Sequence, residues 1–108
     1  MGEYTVDDPE DGYWWHALDG DGLAKFEATD PGFGKCAIQM TATVGFSGVP
    51  IIRCRPDREG VTPWLRAGGA VLQVDPAQLD PADYCVLPDT GDIYVKGEAA
   101  LRAGRLAP

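Results

Sequence analysis

The chain has no asparagine, one serine (Ser47) and one histidine (His16) among its 108 residues, and three lysines against six arginines. Nucleophilic chemistry of the Ser–His kind would rest on those two side chains, and Ser47 has poor surroundings for it. In Gly45-Phe46-Ser47-Gly48 the next residue is Val49 where a nucleophile elbow needs glycine, and a β-prone Val-Pro-Ile-Ile follows where a helix should begin. Ser47 reads as a turn residue, and no catalytic residue is assigned. Nor is there a phosphate-cradling glycine loop of the Walker or dinucleotide type.

Long apolar runs are missing as well. No stretch reaches the length of a membrane span, and the residues after Met1 are acidic with no apolar segment of signal-peptide length, so neither a membrane role nor a targeting segment is expected. Cysteine is sparse: Cys36, Cys54 and Cys85 are odd in number and far apart, which is no disulfide framework. A reducing cytoplasm is the expected compartment. The scarcity of Asn, Ser and Lys beside abundant Ala, Gly and Pro is that of GC-rich coding, which points to a bacterial or bacteriophage origin and weakens each isolated Gly or Pro as a turn signal.

What is present in excess is negative charge, and it is unevenly placed. The formal net charge is -8. Residues 1 to 34 hold Glu3, Asp7, Asp8, Glu10, Asp11, Asp19, Asp21, Glu27 and Asp30 against Lys25 alone, whereas residues 35 to 108 are balanced. Such a field repels nucleic acid and anionic lipid and attracts basic surfaces. The length suits one domain, with residues 1–12 an acidic lead-in and 13–108 a single β-rich body.

Turn chemistry organises that body. Tyr4 to Val6 is one short strand candidate. Asp19-Gly20-Asp21-Gly22 between Tyr13–Leu18 and Leu23–Ala28 reads as a hairpin turn. A β-prone run follows from Lys35 to Phe46, then a reversal at Ser47-Gly48 and a strand in Val49 to Arg55. Pro63-Trp64-Leu65 and Ala70 to Val74 lie either side of Gly68-Gly69 and read as a strand pair or as a strand after a bend, since adjacent glycines weaken a helix. Asp75-Pro76 and Asp80-Pro81 each open a single helical turn, because an acceptor side chain precedes a proline suited to a first helical position. Tyr84–Leu87 and Ile93–Lys96 frame a second hairpin at Pro88 to Asp92, and Glu98 to Arg105 is the only helical stretch. The expected fold is mainly β: a small antiparallel barrel or sandwich of six to eight short strands with a short C-terminal helix.

Two metal readings fail on ligand count or spacing. Placing Gly22 at the sharp turn of a calcium loop puts Ala17 and Ala28 where carboxylates must bind. His16, Cys36, Cys54 and Cys85 number and type correctly for tetrahedral zinc, but no two lie within a knuckle. No metal or cofactor is expected. Arg53, Arg55 and Arg58 form the only basic cluster; in one strand Arg53 and Arg55 share a face and could grip a carboxylate or phosphate, although balancing the acidic N-terminal hairpin or solvating a face is the plainer role. In Tyr13-Trp14-Trp15-His16 alternation sends the two indoles to opposite faces, so one is expected at the surface, unless the N-terminal segment or C-terminal helix covers it.

These features point to an acidic protein-binding domain, an inhibitor or immunity-type protein whose Asp7, Asp8, Glu10, Asp11, Trp14, Asp19 and Asp21 meet a protein partner with a basic surface. An assembly component of a phage or other particle, pairing its edges as a homo-oligomer, is the first alternative. A small enzyme or ligand-binding β-barrel working through carboxylates is the second.

Overall fold

The computed structural model describes residues 12–34 and 48–108. These form strands β1 (Trp14–Leu18), β2 (Ile51–Cys54), β3 (Ala70–Val74), β4 (Tyr84–Val86), β5 (Ile93–Lys96) and β6 (Gly104–Leu106), with helices α1 (Gly20–Glu27) and α2 (Gly97–Ala103). Short 3-10 segments lie at Pro31–Phe33, Arg58–Trp64, Pro76–Gln78 and Pro81–Asp83. The strands make two antiparallel sheets of three strands each, ordered β1-β3-β6 and β2-β5-β4. The expectations at Tyr4–Val6, Lys35–Phe46 and Ser47 lie outside the described residues.

Six antiparallel strands agree with the sequence reading, but the closed barrel and the mainly β label need correction. Among the described residues the sheets do not close on each other, and the helical segments make the fold mixed. Much of the helical content is nucleated by aspartate. Asp19 Oδ1 accepts from Gly22 N at 2.7 Å and starts α1, while Asp30, Asp57 and Asp75 accept from Gly32, Gly60 and Ala77 at the heads of the 3-10 segments. Each such cap satisfies a backbone donor that the helix start would leave orphaned, worth about 1 kcal/mol. The hairpin expected at Asp19-Gly20-Asp21-Gly22 is therefore replaced by a helix. β1 finds its partner in β3 instead, and Leu23–Ala28 does not return as a strand.

The Pro88–Asp92 hairpin forms as expected. Leu87 N donates to Asp92 O at 2.7 Å, and Gly91 adopts φ +77, a conformation that favours glycine. Both Asp-Pro turns form too. The C-terminal helix ends earlier than the sequence implies, at Ala103, and Gly104–Leu106 becomes the edge strand β6 on β3.

The main core lies between the inner faces of the sheets. Leu18, Leu72 and Val74 meet Ile52, Cys54, Ile93 and Val95, and Phe33 with Ala99, Ala100 and Ala103 of α2 completes it. Large side chains buried this fully contribute about 1.5–3 kcal/mol each. The alanines let α2 lie close, and Gly97 at its start is closer still: a Cβ there would sit 2.7 Å from the Pro31 carbonyl oxygen. On the outer face of β2-β5-β4, Ile51 and Tyr94 form a second small cluster with Val49, Cys85 and Leu87.

Candidate functional site

Where the two sheets meet, β1 and β2 touch through one bridge and then part. Trp15 N donates to Arg55 O at 2.9 Å and Arg55 N to Trp15 O at 2.7 Å. By the two-residue period of an antiparallel ladder, Ala17 and Arg53 would be the next hydrogen-bonded pair. Instead the His16 ring takes the Arg53 carbonyl, with Nδ1 at 2.8 Å. A carbonyl only accepts, so Nδ1 carries the proton.

A cleft of about 430 Å³ opens at this split, lined by β1 (His16, Ala17, Leu18), the start of α1 (Asp19, Gly22) and Arg53 and Arg55. Phe33, Val61, Trp64 and Arg66 complete it. Its apolar lining, Leu18, Phe33 and Val61, is buried, while Arg53, Trp64 and Arg66 are exposed. Trp64 is the most exposed large apolar side chain among the described residues, at 58 %.

One carboxylate fixes two of the guanidinium groups. Asp92 Oδ2 accepts from Arg53 Nε at 2.8 Å and stands 3.3 Å from Arg55 Nε, and the Asp92 side chain is buried. The register explains this: Cys54 faces Ile93, so Arg55 falls opposite Asp92 and Arg53 diagonal to it, all on one face. Arg53 also lies over the Tyr94 ring and Arg55 over Trp64, each 5.9 Å from the ring centre. Among the described residues both arginines approach Asp92 through Nε, and Arg66 bonds the carbonyls of Pro63 and Leu65 at 3.2 Å.

Of the residues proposed from sequence for partner recognition, Asp7, Asp8, Glu10 and Asp11 lie outside the described residues. Trp14 begins β1, half-buried against the main core, its ring edge-on to Tyr84 at 5.1 Å. Asp19 caps α1, and Asp21 in its first turn pairs with Lys25 at 3.4 Å. The structure brings Asp19 and Asp21 together, but Trp14 is at the far end of β1, five residues or roughly 16 Å of extended chain away. Neither adjacent indole is the exposed one: Trp15 is fully buried and Trp64 takes that place.

The basic cluster is also regrouped. Arg53 and Arg55 share a face as expected, but Arg58 lies over the Trp15 ring at 5.3 Å and donates to Pro108 O, so Arg66 is the third arginine of the cleft. Among the described residues the ion-pair partner of Arg53 and Arg55 is Asp92, not an acid of the first third of the chain. The alternation of Arg53 and Arg55 was a legible signal; Asp92, inside a turn, and Trp64 and Arg66, after a proline, gave none.

Within the set weighed for zinc, Cys54 and Cys85 point to opposite faces of one sheet and Cys36 is outside the described residues. Among the described residues no three His, Cys, Asp or Glu side chains converge. No helix among them is long and apolar enough to cross a membrane. Comparison with family models, curated proteins and solved structures returns no match.

Proposed function

We propose that this domain binds an anionic organic ligand in the cleft between its two sheets. The reading is carried by one observation: three of the six arginines of a chain with net charge -8 converge on a single cleft with an apolar interior and an exposed indole. Asp19 is the carboxylate of the lining, and once the buried Asp92 that pairs with Arg53 and Arg55 is counted, the three guanidinium groups keep one positive charge in excess. Hydrogen bonds from such groups to an oxyanion contribute about 1.5–3 kcal/mol each. The exposed Trp64 offers apolar surface to the rest of the ligand at roughly 25 cal/mol per Å² covered, above a floor of the buried Leu18, Phe33 and Val61.

Calorimetric titration with 3-phenylpropionate and its neutral amide tests this. The acid is expected to bind about ten-fold more tightly than 3-phenylpropionamide, the difference one charge-assisted hydrogen bond makes. Arg66→Gln, which disturbs only exposed carbonyl contacts, should weaken the acid and leave the amide unchanged. Equal binding of acid and amide would overturn the reading.

A second reading, a protein-binding face for a basic partner around residues 3 to 30, has the charge distribution of the sequence in its favour. Its signature is an association rate that drops steeply as salt is raised. A salt-insensitive rate would remove it.

A further inference from the structure

Resting on the anion-binding reading above, we infer that the cleft selects a monocarboxylate on an aromatic or branched apolar body and discriminates against a phosphate monoester. The charge of the lining is the first ground. With three guanidinium groups against Asp19 in the lining and Asp92 behind Arg53 and Arg55, a single negative charge neutralises the site, whereas a phosphate monoester near pH 7 brings about -1.5 to -2.

Asp19 gives that preference a specific agent. Its carboxylate is exposed in the lining and fixed in place by the Gly22 N–H. A ligand oxyanion held by the arginines therefore has a like charge in the same cleft, which one negative charge tolerates better than two.

The arginine geometry supplies the second ground. Arg53 and Arg55 stand two residues apart on one strand face and turn their Nε groups to the same Asp92 oxygen. The edge that each has left is its pair of terminal NH2 groups, a planar fork that matches two oxygens of a carboxylate or of a phosphate alike, so it grips the oxyanion and leaves the choice between the two to charge. Those forks are held before the ligand arrives, so little ordering is lost on binding.

The third ground is the body of the ligand. Leu18, Phe33 and Val61 line the interior, and the flat, exposed Trp64 indole backed by Arg55 can cover a ring. The volume of about 430 Å³ falls within the range of small-molecule sites.

Titration of 3-phenylpropionate, phenyl phosphate and 3-phenylpropionamide into the full chain and its Asp19→Asn variant tests the inference. Asn caps a helix as well as Asp does, so this change removes charge while keeping α1. The wild type should bind the carboxylate about ten-fold or more tightly than the phosphate, as a like-charge contact requires. Asp19→Asn should narrow that gap by strengthening the phosphate more than the carboxylate. Phosphate binding as tightly as carboxylate, or an Asp19→Asn variant that shifts both anions equally, overturns the inference but leaves anion binding standing. Two anions that bind no better than the amide overturn both.

Discussion

Arg53 Nε donates to Asp92 Oδ2 at 2.8 Å, from the middle of β2 to a carboxylate at the turn into β5. Asp92 is 2 % exposed, and the two guanidinium groups beside it compensate the loss of water around its carboxylate. Asp92→Asn keeps the shape and removes the charge. Arg53 and Arg55 retain contact with water, with side-chain exposures of 41 % and 30 %, so the cost falls below that of breaking a fully buried pair. A loss of about 1–3 kcal/mol in urea denaturation is expected; an unchanged midpoint would show that the ion pair contributes nothing.

Cys54 sits on the inner face of the same strand, and burial, reinforced by the charge of Asp92, pushes its thiol well above the ordinary range. The folded state therefore holds the proton where the unfolded chain, with a thiol pKa of about 8.5, releases it. The stability this neutral thiol contributes is complete below that value. Above it, the contribution falls by up to about 1.4 kcal/mol per pH unit until the folded thiol also ionises. Urea denaturation between pH 7 and pH 10 should show this alkaline decline, and Cys54→Val should reduce it. A variant with the wild-type slope contradicts the assignment.

Gln73 faces Trp15 across β1 and β3, and both are fully buried on the outer face of that sheet. Among the described residues neither end of the Gln73 amide has a hydrogen-bond partner, nor does Trp15 Nε1. An unpaired buried amide costs about 1–3 kcal/mol, so Gln73→Leu should raise stability by about that much in place of the loss usual for a core change. Thermal denaturation of the variant decides it, since a lowered midpoint would mean that the amide is satisfied.

The acidic composition is legible in the sequence, but its local use is legible only in places. At Asp75 and Asp80 the following proline fixes the backbone angle of a first helical position, which left one interpretation and the right one. At Asp19 the following glycines permit either a hairpin or a helix start, and the choice fell to tertiary pairing: β1 is saturated by β3, a strand more than fifty residues away in the chain. The Pro88–Asp92 hairpin needed only local chemistry, and it formed.

For the cleft, alternation placed Arg53 and Arg55 on one face without help. What brought Asp92 opposite Arg55 was the register of β2 on β5, which joins segments about forty residues apart and leaves no local trace. The displacement of a ladder bond by His16 is equally non-local, as are the positions of Trp64 and Arg66 beside it. Charge counting located the arginines in the sequence; only the sheet pairing located the site.

Side-chain NMR of the arginines shows whether the cleft at the split between β1 and β2 takes the anion. On titration with 3-phenylpropionate, the Nε–H signals of Arg53, Arg55 and Arg66 and the indole N–H of Trp64 should move together along one saturating curve. Arg102, paired with Asp83, and Arg105 on the edge strand should stay still. Shifts shared equally by all six arginines, or confined to Arg102 and Arg105, would mean that the anion does not bind in this cleft.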